Sequence, residues 1–402
     1  MGTWLRNVRI EKVFEDTGDG VITLTEKVDV LIEGGIIKEI KEQAGDTSGH
    51  KVLDGKGYLL LPSLVDNHLH LDKGHYGGPW KAATPFVSVA DRIREEERFL
   101  PELAAYTKER AQRLIDLVTG FGVTRMRIQV NADPVSGIRN LLDVREVLDR
   151  NSDRVSYELV AFPQHGLLRG DSLPHMREAW KNGATVVGGL DPATIDLDLE
   201  KSLRTTFDLA REFNAKVDIH LHDRGSLGSH TIRRICHYTK ECGLTGGVHI
   251  SHAYSLGDVS REEARELAKL LASVDIGINT TSPIDAPAPP IPILKEEGVR
   301  VSIINDNIND HWSPFGTGDL LQRASRAAEK FGAIDEVSLA GYLGHVTGGK
   351  TPLDAQGNQV WPKPGDRADF LLVDASCSAE AVARVPSDRV VMKDGVVTSG
   401  KL

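Results

Sequence analysis

The eleven residues VDNHLHLDKGH (65–75) follow the apolar run YLLLPSL (58–64) and place three histidines and two aspartates at the end of a predicted buried strand. Seven further β-rich apolar runs follow along the chain, and polar sequence that favours helix separates each run from the next. This alternation is typical of βα units around a parallel sheet. The eight runs are 64–70, 123–130, 155–162, 184–189, 215–222, 246–252, 273–279 and 299–306.

Eight βα units favour one α/β architecture. A (β/α)8 TIM-type barrel typically takes about 250 residues, which is close to the length from the first run to the last. A doubly wound open sheet is the alternative arrangement. The helical patterns between the runs are clearest at 102–118, 202–213, 230–242 and 260–272.

The two ends of the chain share a different pattern, in which short strands are broken by turn signals. Gly34-Gly35 and Asp54-Gly55 mark hairpins near the N-terminus, and Asp394-Gly395 marks one near the C-terminus. Neither end has enough strands to be stable alone, so we expect the two to pair as a small β-sandwich domain. The predicted domains are a satellite of residues 1–62 plus 353–402 and a catalytic barrel of residues 63–352.

Composition excludes several classes of partner. The chain has 402 residues and a formal net charge of -10 without a basic block, so we expect neither nucleic acid nor a membrane surface as a partner. Three cysteines without C-x-x-C spacing argue against a disulfide framework and a thiolate zinc site, and favour a reducing, cytoplasmic location. The first residues lack the apolar stretch of a signal peptide.

Histidines and acidic residues collect at the C-terminal ends of the predicted strands, where barrels of this kind place their chemistry. Side chains alternate along a strand, so His68 and His70 face the same way, and His220 and His222 repeat that geometry. Imidazole and carboxylate ligands suit Zn²⁺ or Fe²⁺, and an open position in such a site is typical of catalysis. The sequence therefore predicts one divalent metal ion, Zn²⁺ or Fe²⁺.

Each of these residues also has a purely structural interpretation. His70 or His252 could be a hydrogen-bonded core histidine, and Asp306 could cap the next helix. A single H-x-H pair is weak evidence for a metal. Polar clusters at the ends of four separate predicted strands favour the metal site over the structural alternative.

Six motifs occur in the order PSLVDNHLHLDK, VAFPQHG, GGLDPAT, DIHLHD, ISHAYS and INDNINDHWSPFGTGD. Together they resemble the cytosine deaminase-like branch of the amidohydrolase superfamily, and within it the N-isopropylammelide isopropylaminohydrolase group, which acts on a triazine ring. The similarity spans nearly the whole chain. It implies a small nitrogen heterocycle as the substrate and a homo-oligomeric enzyme.

The resemblance also implies a role for individual residues. It assigns His252 to stabilising the attacking water or the tetrahedral intermediate, and Gln164 to binding the heterocycle. Lys73, Asn307 and Trp312 fall where substrate-contacting residues are expected. No lysine ends the fourth run, so the carbamylated lysine of two-metal relatives is not expected. The implied ligands of the single metal ion are His68, His70, His220 and Asp306.

Four positions depart from the cytosine deaminase pattern. Asp223 replaces a glutamate and Asn307 replaces an aspartate, and these acids handle the ring nitrogen proton and the exocyclic amine in that group. Gln129 and Asn131 replace a histidine and an aspartate that are common in relatives. We interpret the departures as a pocket tuned for a ring other than cytosine.

The resulting hypothesis is a metal-dependent hydrolase of C–N bonds other than peptide bonds, which removes ammonia or an alkylamine from a ring carbon of a cytosine-like pyrimidine or an aminotriazine. Asp306 would take the proton of the attacking water, His222 or Asp223 would protonate a ring nitrogen, and His252 would favour the developing charge. One alternative is hydrolysis of a cyclic amide or lactam. A second alternative is a non-catalytic barrel that binds a small molecule.

Overall fold

The computed structural model describes residues 2–402 and contains two sheets of eight strands each. The N-terminal strands are β1 (Thr3–Asp16), β2 (Val21–Glu33), β3 (Ile36–Lys41), β4 (Lys51–Asp54) and β5 (Leu59–Pro62). The central strands are β6 (Leu64–His70), β7 (Val123–Asn131), β8 (Ser156–Phe162), β9 (Val186–Leu190), β10 (Lys216–Leu221), β11 (Val248–His252), β12 (Gly277–Thr280) and β13 (Val301–Ile303). The C-terminal strands are β14 (Phe370–Val373), β15 (Arg389–Lys393) and β16 (Val396–Ser399).

Helices follow most of the central strands. They are α1 (Val89–Leu103), α2 (Thr107–Gly120), α3 (Arg139–Arg150), α4 (Leu173–Lys181), α5 (Leu199–Phe213), α6 (Gly225–Glu241), α7 (Ser255–Asp258), α8 (Arg261–Ser273), α9 (Ile291–Glu296), α10 (Leu320–Lys330), α11 (Glu336–Leu343) and α12 (Ser378–Arg384). Short 3-10 turns occur at Ala104–Tyr106 and Gly344–Val346.

Strands β6 to β13 form a parallel barrel in chain order. Strand β6 and the segment just after β13 close it through backbone hydrogen bonds, in which the Asp306 amide donates to the His68 carbonyl (2.9 Å) and the His70 amide donates to the Asp306 carbonyl (3.1 Å). All eight predicted strands are present, so the (β/α)8 prediction is confirmed and the open sheet is excluded. The closure also places Asp306 directly beside the H-x-H pair.

The two ends of the chain pair as predicted. Strand β14 runs antiparallel to β5, and the order β16-β15-β14-β5-β1-β2-β3 joins both ends in one sheet. Alternation along β5 explains why its sequence is apolar throughout: Leu59 and Leu61 belong to the barrel core, and Leu60 belongs to the core of the satellite sheet. Strand β5 therefore attaches the satellite to the barrel.

The sequence interpretation of residues 102–118 as one helix is wrong. Helix α1 ends at Leu103, a 3-10 turn follows, and α2 begins at Thr107. Pro101 lies inside the last turn of α1 and has no backbone N–H, which weakens the helical ladder at this point. Helix α1 itself was not predicted, although Ser88 caps it by accepting a hydrogen bond from the amide of Asp91 (3.2 Å).

Helix α1 lies near the C-terminal end of the barrel. Its Ile93 is fully buried against Phe162, Leu190 and Ile195, which occur at or just beyond the ends of β8 and β9. The helix thus covers part of the barrel mouth. Within residues 2–402, no helix is both long and apolar enough to cross a membrane.

Candidate metal centre and active site

Four side chains from distant parts of the sequence converge at the C-terminal end of the barrel. One potential ligand atom from each of His68, His220, His252 and Asp306 lies within 4.8 Å of the others. They come from β6, β10, β11 and the segment after β13, because the carboxyl ends of parallel strands meet at one end of a barrel. The three histidines are at most 3% exposed.

His70 adjoins this cluster from the same strand as His68. Its Nε2 atom lies 3.4 Å from Oδ1 of Asp306, and Nε2 of His68 lies 3.3 Å from the same oxygen. The centroids of the His70 and His220 rings are 5.6 Å apart. Three of the four residues predicted as ligands therefore belong to the converging group, His70 lies beside it, and His252, which was not predicted as a ligand, belongs to it.

Unusual backbone conformations direct two of these side chains. His252 has φ of 71° and Asp306 has φ of 60°, both in the left-handed region that residues other than glycine rarely adopt. At the ends of β11 and after β13 these conformations turn the chain away from the strand direction. Such conformations cluster at functional sites, because the surrounding structure must hold them.

The donors fit a divalent cation. Among the described residues, no hydrogen-bond partner is found for Nε2 of His68 or for either ring nitrogen of His220 and His252. Buried polar atoms normally have a partner, and a bound cation would supply one to several imidazole nitrogens around one carboxylate. Imidazole nitrogens with one carboxylate are the donor set of zinc and iron sites.

A buried polar network orients His68. Ser251 Oγ donates to Oδ1 of Asp218 (2.8 Å), so it accepts the proton of His68 Nδ1, which lies 2.9 Å away. This fixes the tautomer and leaves the Nε2 lone pair facing the cluster. Arg127 donates to the other Asp218 oxygen (3.1 Å), so both oxygens of that carboxylate have partners. Sequence reasoning did not identify Ser251 or Asp218.

The surroundings favour the protonation states that metal ligands need. Burial, together with the charge of Lys73, lowers the pKa of His70 to about 3. Burial also lowers the pKa of His220 and of His252 well below the usual value. Burial alone would raise the pKa of Asp306, but the neighbouring histidines lower it well below its usual value. Neutral imidazoles and an ionised carboxylate result.

His222 is paired with a carboxylate that sequence reasoning missed. Its Nδ1 lies 2.8 Å from Oδ2 of Asp191, and its backbone amide donates to Oδ1 of the same residue (2.6 Å). Burial lowers the pKa of His222, but the charge and hydrogen bond of Asp191 outweigh burial and raise it. The ring stacks on His252 with centroids 4.4 Å apart. Asp191 belongs to the motif GGLDPAT, which was the available signal.

Asp223, the other predicted proton donor, has a different environment. Its Oδ1 accepts a hydrogen bond from Thr194 Oγ1 (2.7 Å), and its Oδ2 has no partner among the described residues. Burial, with the charge of Asp191, raises the pKa of Asp223 to about 6. The carboxyl group can therefore hold a proton near neutral pH.

The predicted substrate-binding residues form a second buried cluster. The Lys73 ammonium donates to Asn131 Oδ1 (3.2 Å) and to the side-chain oxygen of Gln164. Trp312 Nε1 donates to Oε2 of Glu96 (2.7 Å), a carboxylate on α1 that sequence reasoning missed. The structure thus brings Lys73, Gln164 and Trp312 together.

Asn307 lies beside the ligand cluster but is engaged within its own loop, where its side-chain amide donates to Asp310. Gln129 also departs from the cytosine deaminase pattern, and it lies close to the ligand cluster. Its Nε2 lies 3.2 Å from Nδ1 of His68. Gln129 therefore packs beside a predicted ligand.

Phe162 joins the two clusters into one site. Its ring stacks on His220 with centroids 4.0 Å apart, and Nζ of Lys73 lies 5.6 Å from the centre of the same ring. The predicted metal ligands and the predicted substrate-binding side chains are thus separated by one aromatic ring. The two clusters are therefore close enough for one small ring compound to contact both.

A cavity of about 760 Å³ lies at the opposite end of the barrel. Its lining includes Ser156, Lys216 and Val301, the first residues of β8, β10 and β13, together with residues of the satellite sheet. None of the four clustered ligand atoms belongs to its described lining. We therefore assign the chemistry to the C-terminal end, where the ligating side chains meet.

The sequence matches a family model and known proteins over most of its length. The family model described as "Amidohydrolase family" matches residues 105–401. YahJ of Escherichia coli (strain K12), an uncharacterized protein, is 40% identical over 406 residues, which covers 99% of this chain and 88% of that protein. N-isopropylammelide isopropyl amidohydrolase of Pseudomonas sp. (strain ADP) is 28% identical over 399 residues, covering 95% of this chain and 94% of that protein.

A solved structure is similar over the same length. N-isopropylammelide isopropylaminohydrolase from Burkholderia multivorans ATCC 17616 matches with a TM-score of 0.88 and 32% identity, covering 100% of this chain and 99% of that chain. These similarities confirm the resemblance that the six sequence motifs indicated.

Proposed function

Because the chain belongs to the amidohydrolase family, a family of metal-dependent hydrolases, we propose that it is a deaminase that removes ammonia or an alkylamine from a ring carbon of a nitrogen heterocycle. The observation that supports this most directly is the convergence of His68, His220, His252 and Asp306 with several unpartnered imidazole nitrogens. We propose an aminotriazine or a cytosine-like pyrimidine as the substrate, and the names of two relatives, which act on N-isopropylammelide, favour the first.

We propose that His68, His70, His220 and Asp306 hold one divalent cation, Zn²⁺ or Fe²⁺. Oδ1 of Asp306 is the common neighbour of the His68 and His70 Nε2 atoms, which supports this choice of four. His252 also belongs to the group of converging ligand atoms, but it stacks on His222, and we assign it to the tetrahedral intermediate and not to the cation. Such a cation supplies Lewis acidity, which makes water a nucleophile near neutral pH.

The remaining steps are proton transfers by the chain itself. The Asp306 carboxylate accepts a proton from the attacking water as its oxygen forms a bond to the ring carbon. His222, charged through its contact with Asp191, gives the Nε2 proton to the ring nitrogen, and His252 stabilises the tetrahedral intermediate. The C–N bond then breaks, the amine leaves with the proton that Asp306 took up, and the hydroxyl of the intermediate becomes the ring carbonyl as its proton returns to His222.

Lys73, Gln164, Trp312 and Asn307 bind the ring in this proposal. The amide of Gln164 supplies a donor group to a ring carbonyl or ring nitrogen, since its oxygen already accepts from Lys73. The indole of Trp312 offers an aromatic surface beside it. Lys73 and His220 both contact the ring of Phe162, so these side chains lie close enough to the ligand cluster to orient a ring whose carbon reaches it.

The test is an assay of amine release by protein loaded with Zn²⁺ or Fe²⁺, across aminopyrimidines, aminotriazines, pterins and their N-alkyl derivatives. We expect turnover of one class, loss of that turnover after chelation, and loss in His220→Ala. The matched control is His237→Ala, which removes an exposed histidine on α6. Ring opening of a cyclic amide without amine release would establish the rival hydrolase. A metal-loaded protein that converts neither class would favour the non-catalytic barrel.

A further inference from the structure

Glu96 occupies the centre of the buried polar cluster at the barrel mouth. It lies in the middle of α1 and has no exposed surface. Its Oε1 accepts hydrogen bonds from Asn131 Nδ2 (3.0 Å) and Lys73 Nζ (3.4 Å). Its Oε2 accepts from Trp312 Nε1 (2.7 Å) and lies 3.0 Å from Nε2 of His311. One carboxylate thus contacts residues that follow β6, β7 and β13.

The Lys73 ammonium has no proton left for a further partner in this arrangement. Its three N–H groups are directed to Glu96, Asn131 and Gln164, and the side chain is 1% exposed. Isolated buried charges are very costly, so a compensating carboxylate is required. Within residues 2–402, Glu96 supplies the one carboxylate within 4.0 Å of Lys73 Nζ.

The other acidic groups of this region are committed to backbone donors. Asp72 Oδ2 accepts the backbone amide of Asn131 (2.9 Å). Asp310 Oδ1 accepts the amides of Trp312 (2.8 Å) and Ser313 (3.0 Å). Glu96 is therefore the counter-ion of Lys73 at contact distance, and the pair is close to neutral as a unit.

We propose that Glu96 is a positioning residue that determines specificity: it holds Lys73 and Trp312 in place and makes the ring-binding side of the pocket select an uncharged heterocycle. This deepens the proposed function and rests on it. A neutral ring replaces water without disturbing the Lys73–Glu96 pair. A ring with a negative charge would be attracted by Lys73 and repelled by Glu96. These two interactions would largely cancel, so nothing would offset the free energy cost of removing the charged ring from water.

Packing supports this role for a residue on α1. The helix is anchored by Ile93 against Phe162, the same ring that contacts His220 and Lys73. Trp312 packs against the hydrophobic cluster that contains Ile93 and Phe162, and its indole N–H donates to Glu96. Glu96 therefore couples the position of α1 to the geometry of the ring-binding side chains.

The experiment compares Glu96→Gln with wild type by calorimetric binding of two related pyrimidine rings. Uracil is uncharged at pH 7, and barbiturate has one more exocyclic oxygen and one negative charge, so the readout is the change in their ratio between protein variants. We expect wild-type protein loaded with Zn²⁺ to prefer uracil. In Glu96→Gln the uncompensated Lys73 should shift the ratio of the two dissociation constants towards barbiturate by about 10-fold or more, with zinc content unchanged.

Two further variants make the test decisive. Glu97→Gln, a neighbour on α1 that pairs with Arg169 at 3.3 Å, should leave the ratio unchanged. The double variant Lys73→Met/Glu96→Gln restores neutrality, so it should return the ratio towards wild type even if both rings bind more weakly. A purely structural role of Glu96 would weaken both rings equally, and that result in Glu96→Gln would overturn the proposal.

Measuring binding separates this inference from the proposed reaction. If wild-type protein binds uracil and Glu96→Gln does not change the preference, the inference about Glu96 is wrong and the deaminase proposal stands. If the wild type binds neither ring, both the inference and a pyrimidine-like substrate are contradicted. Loss of zinc from Glu96→Gln would also count against the proposal, because Glu96 would then act on the metal cluster.

Discussion

Ser251 Oγ lies 2.9 Å from Nδ1 of His68, on the ring nitrogen opposite the one that faces the ligand cluster. The hydroxyl is itself held by Asp218, so it accepts the imidazole proton and presents Nε2 as a lone pair. Loss of such an orienting partner typically weakens metal affinity by about 10-fold to 100-fold. We therefore expect Ser251→Ala to bind Zn²⁺ more weakly by that factor in a competition titration with a chelator. Ser273→Ala, on the exposed end of α8, is the control and should bind zinc as wild type does.

His70 and His252 should separate metal binding from turnover. Since His70 approaches Oδ1 of Asp306 at 3.4 Å, we expect His70→Ala to lose bound metal and, with it, activity. His252→Ala should retain metal close to the wild-type content and lose turnover by about 100-fold or more, because it removes a group that acts on the reacting carbon. Metal analysis of both purified variants checks this. Metal loss in His252→Ala with retention in His70→Ala would exchange their assignments.

Asp191 should act through His222. Replacing Asp191 with asparagine removes the charge that holds the imidazole, so we expect kcat to fall while metal content stays constant. His222→Asn removes the proton donor itself and should cost about 100-fold or more in kcat. The two losses should not add in the double variant, because both disrupt one unit. Additive losses would show that Asp191 and His222 act separately.

Asp223 should make stability depend on pH. Its folded-state pKa is raised from 3.8 to about 6, so the ionised carboxylate disfavours the fold. Asp223 therefore does not lower the free energy of unfolding below about pH 4, where it is protonated in both states. It lowers that free energy progressively as pH rises to about 6. Asn cannot ionise, so Asp223→Asn should gain stability relative to wild type across this range and keep the gain above it. Urea denaturation of metal-free protein at several pH values measures the difference. A gain for Asp223→Asn that shrinks with rising pH would contradict the assignment.

A buried ion pair joins the satellite sheet to the barrel. Arg389 on β15 donates to both carboxylate oxygens of Asp319, the residue that caps α10, at 2.8 and 2.7 Å. Removing one partner of a buried pair costs about 3 to 5 kcal/mol, so Arg389→Leu should lower the free energy of unfolding by that amount. Arg367→Leu breaks an exposed pair with Asp369 in the same sheet and should cost less than about 1 kcal/mol. Equal losses of unfolding free energy in the two variants would show that the buried pair contributes no more to stability than the exposed pair.

Much of the fold was predictable because local patterns encode it. The eight apolar runs correspond to β6 to β13, and the turn signals at Gly34-Gly35 and Asp394-Gly395 correspond to hairpins of one shared sheet. The hairpin predicted at Asp54-Gly55 is wrong, because β4 and β5 both run parallel to β1. The apolar sequence of β5 becomes clear only in the structure, where Leu60 faces one core and its neighbours face another. The break between α1 and α2 was missed, because Pro101 lies in a sequence whose apolar spacing is otherwise helical.

The sequence by itself determined which side chains end the strands, and therefore that His68, His70, His220 and Asp306 meet at one end of the barrel. The period of two along a strand and the common direction of parallel strands are sufficient for that result. Tertiary structure alone decided the partners behind them: Ser251 at His68, Asp191 at His222 and Glu96 at Lys73. Each partner lies on a different element from the residue it holds, and its distance depends on how helices and loops pack. No local pattern encodes that distance, since packing is set by the whole core.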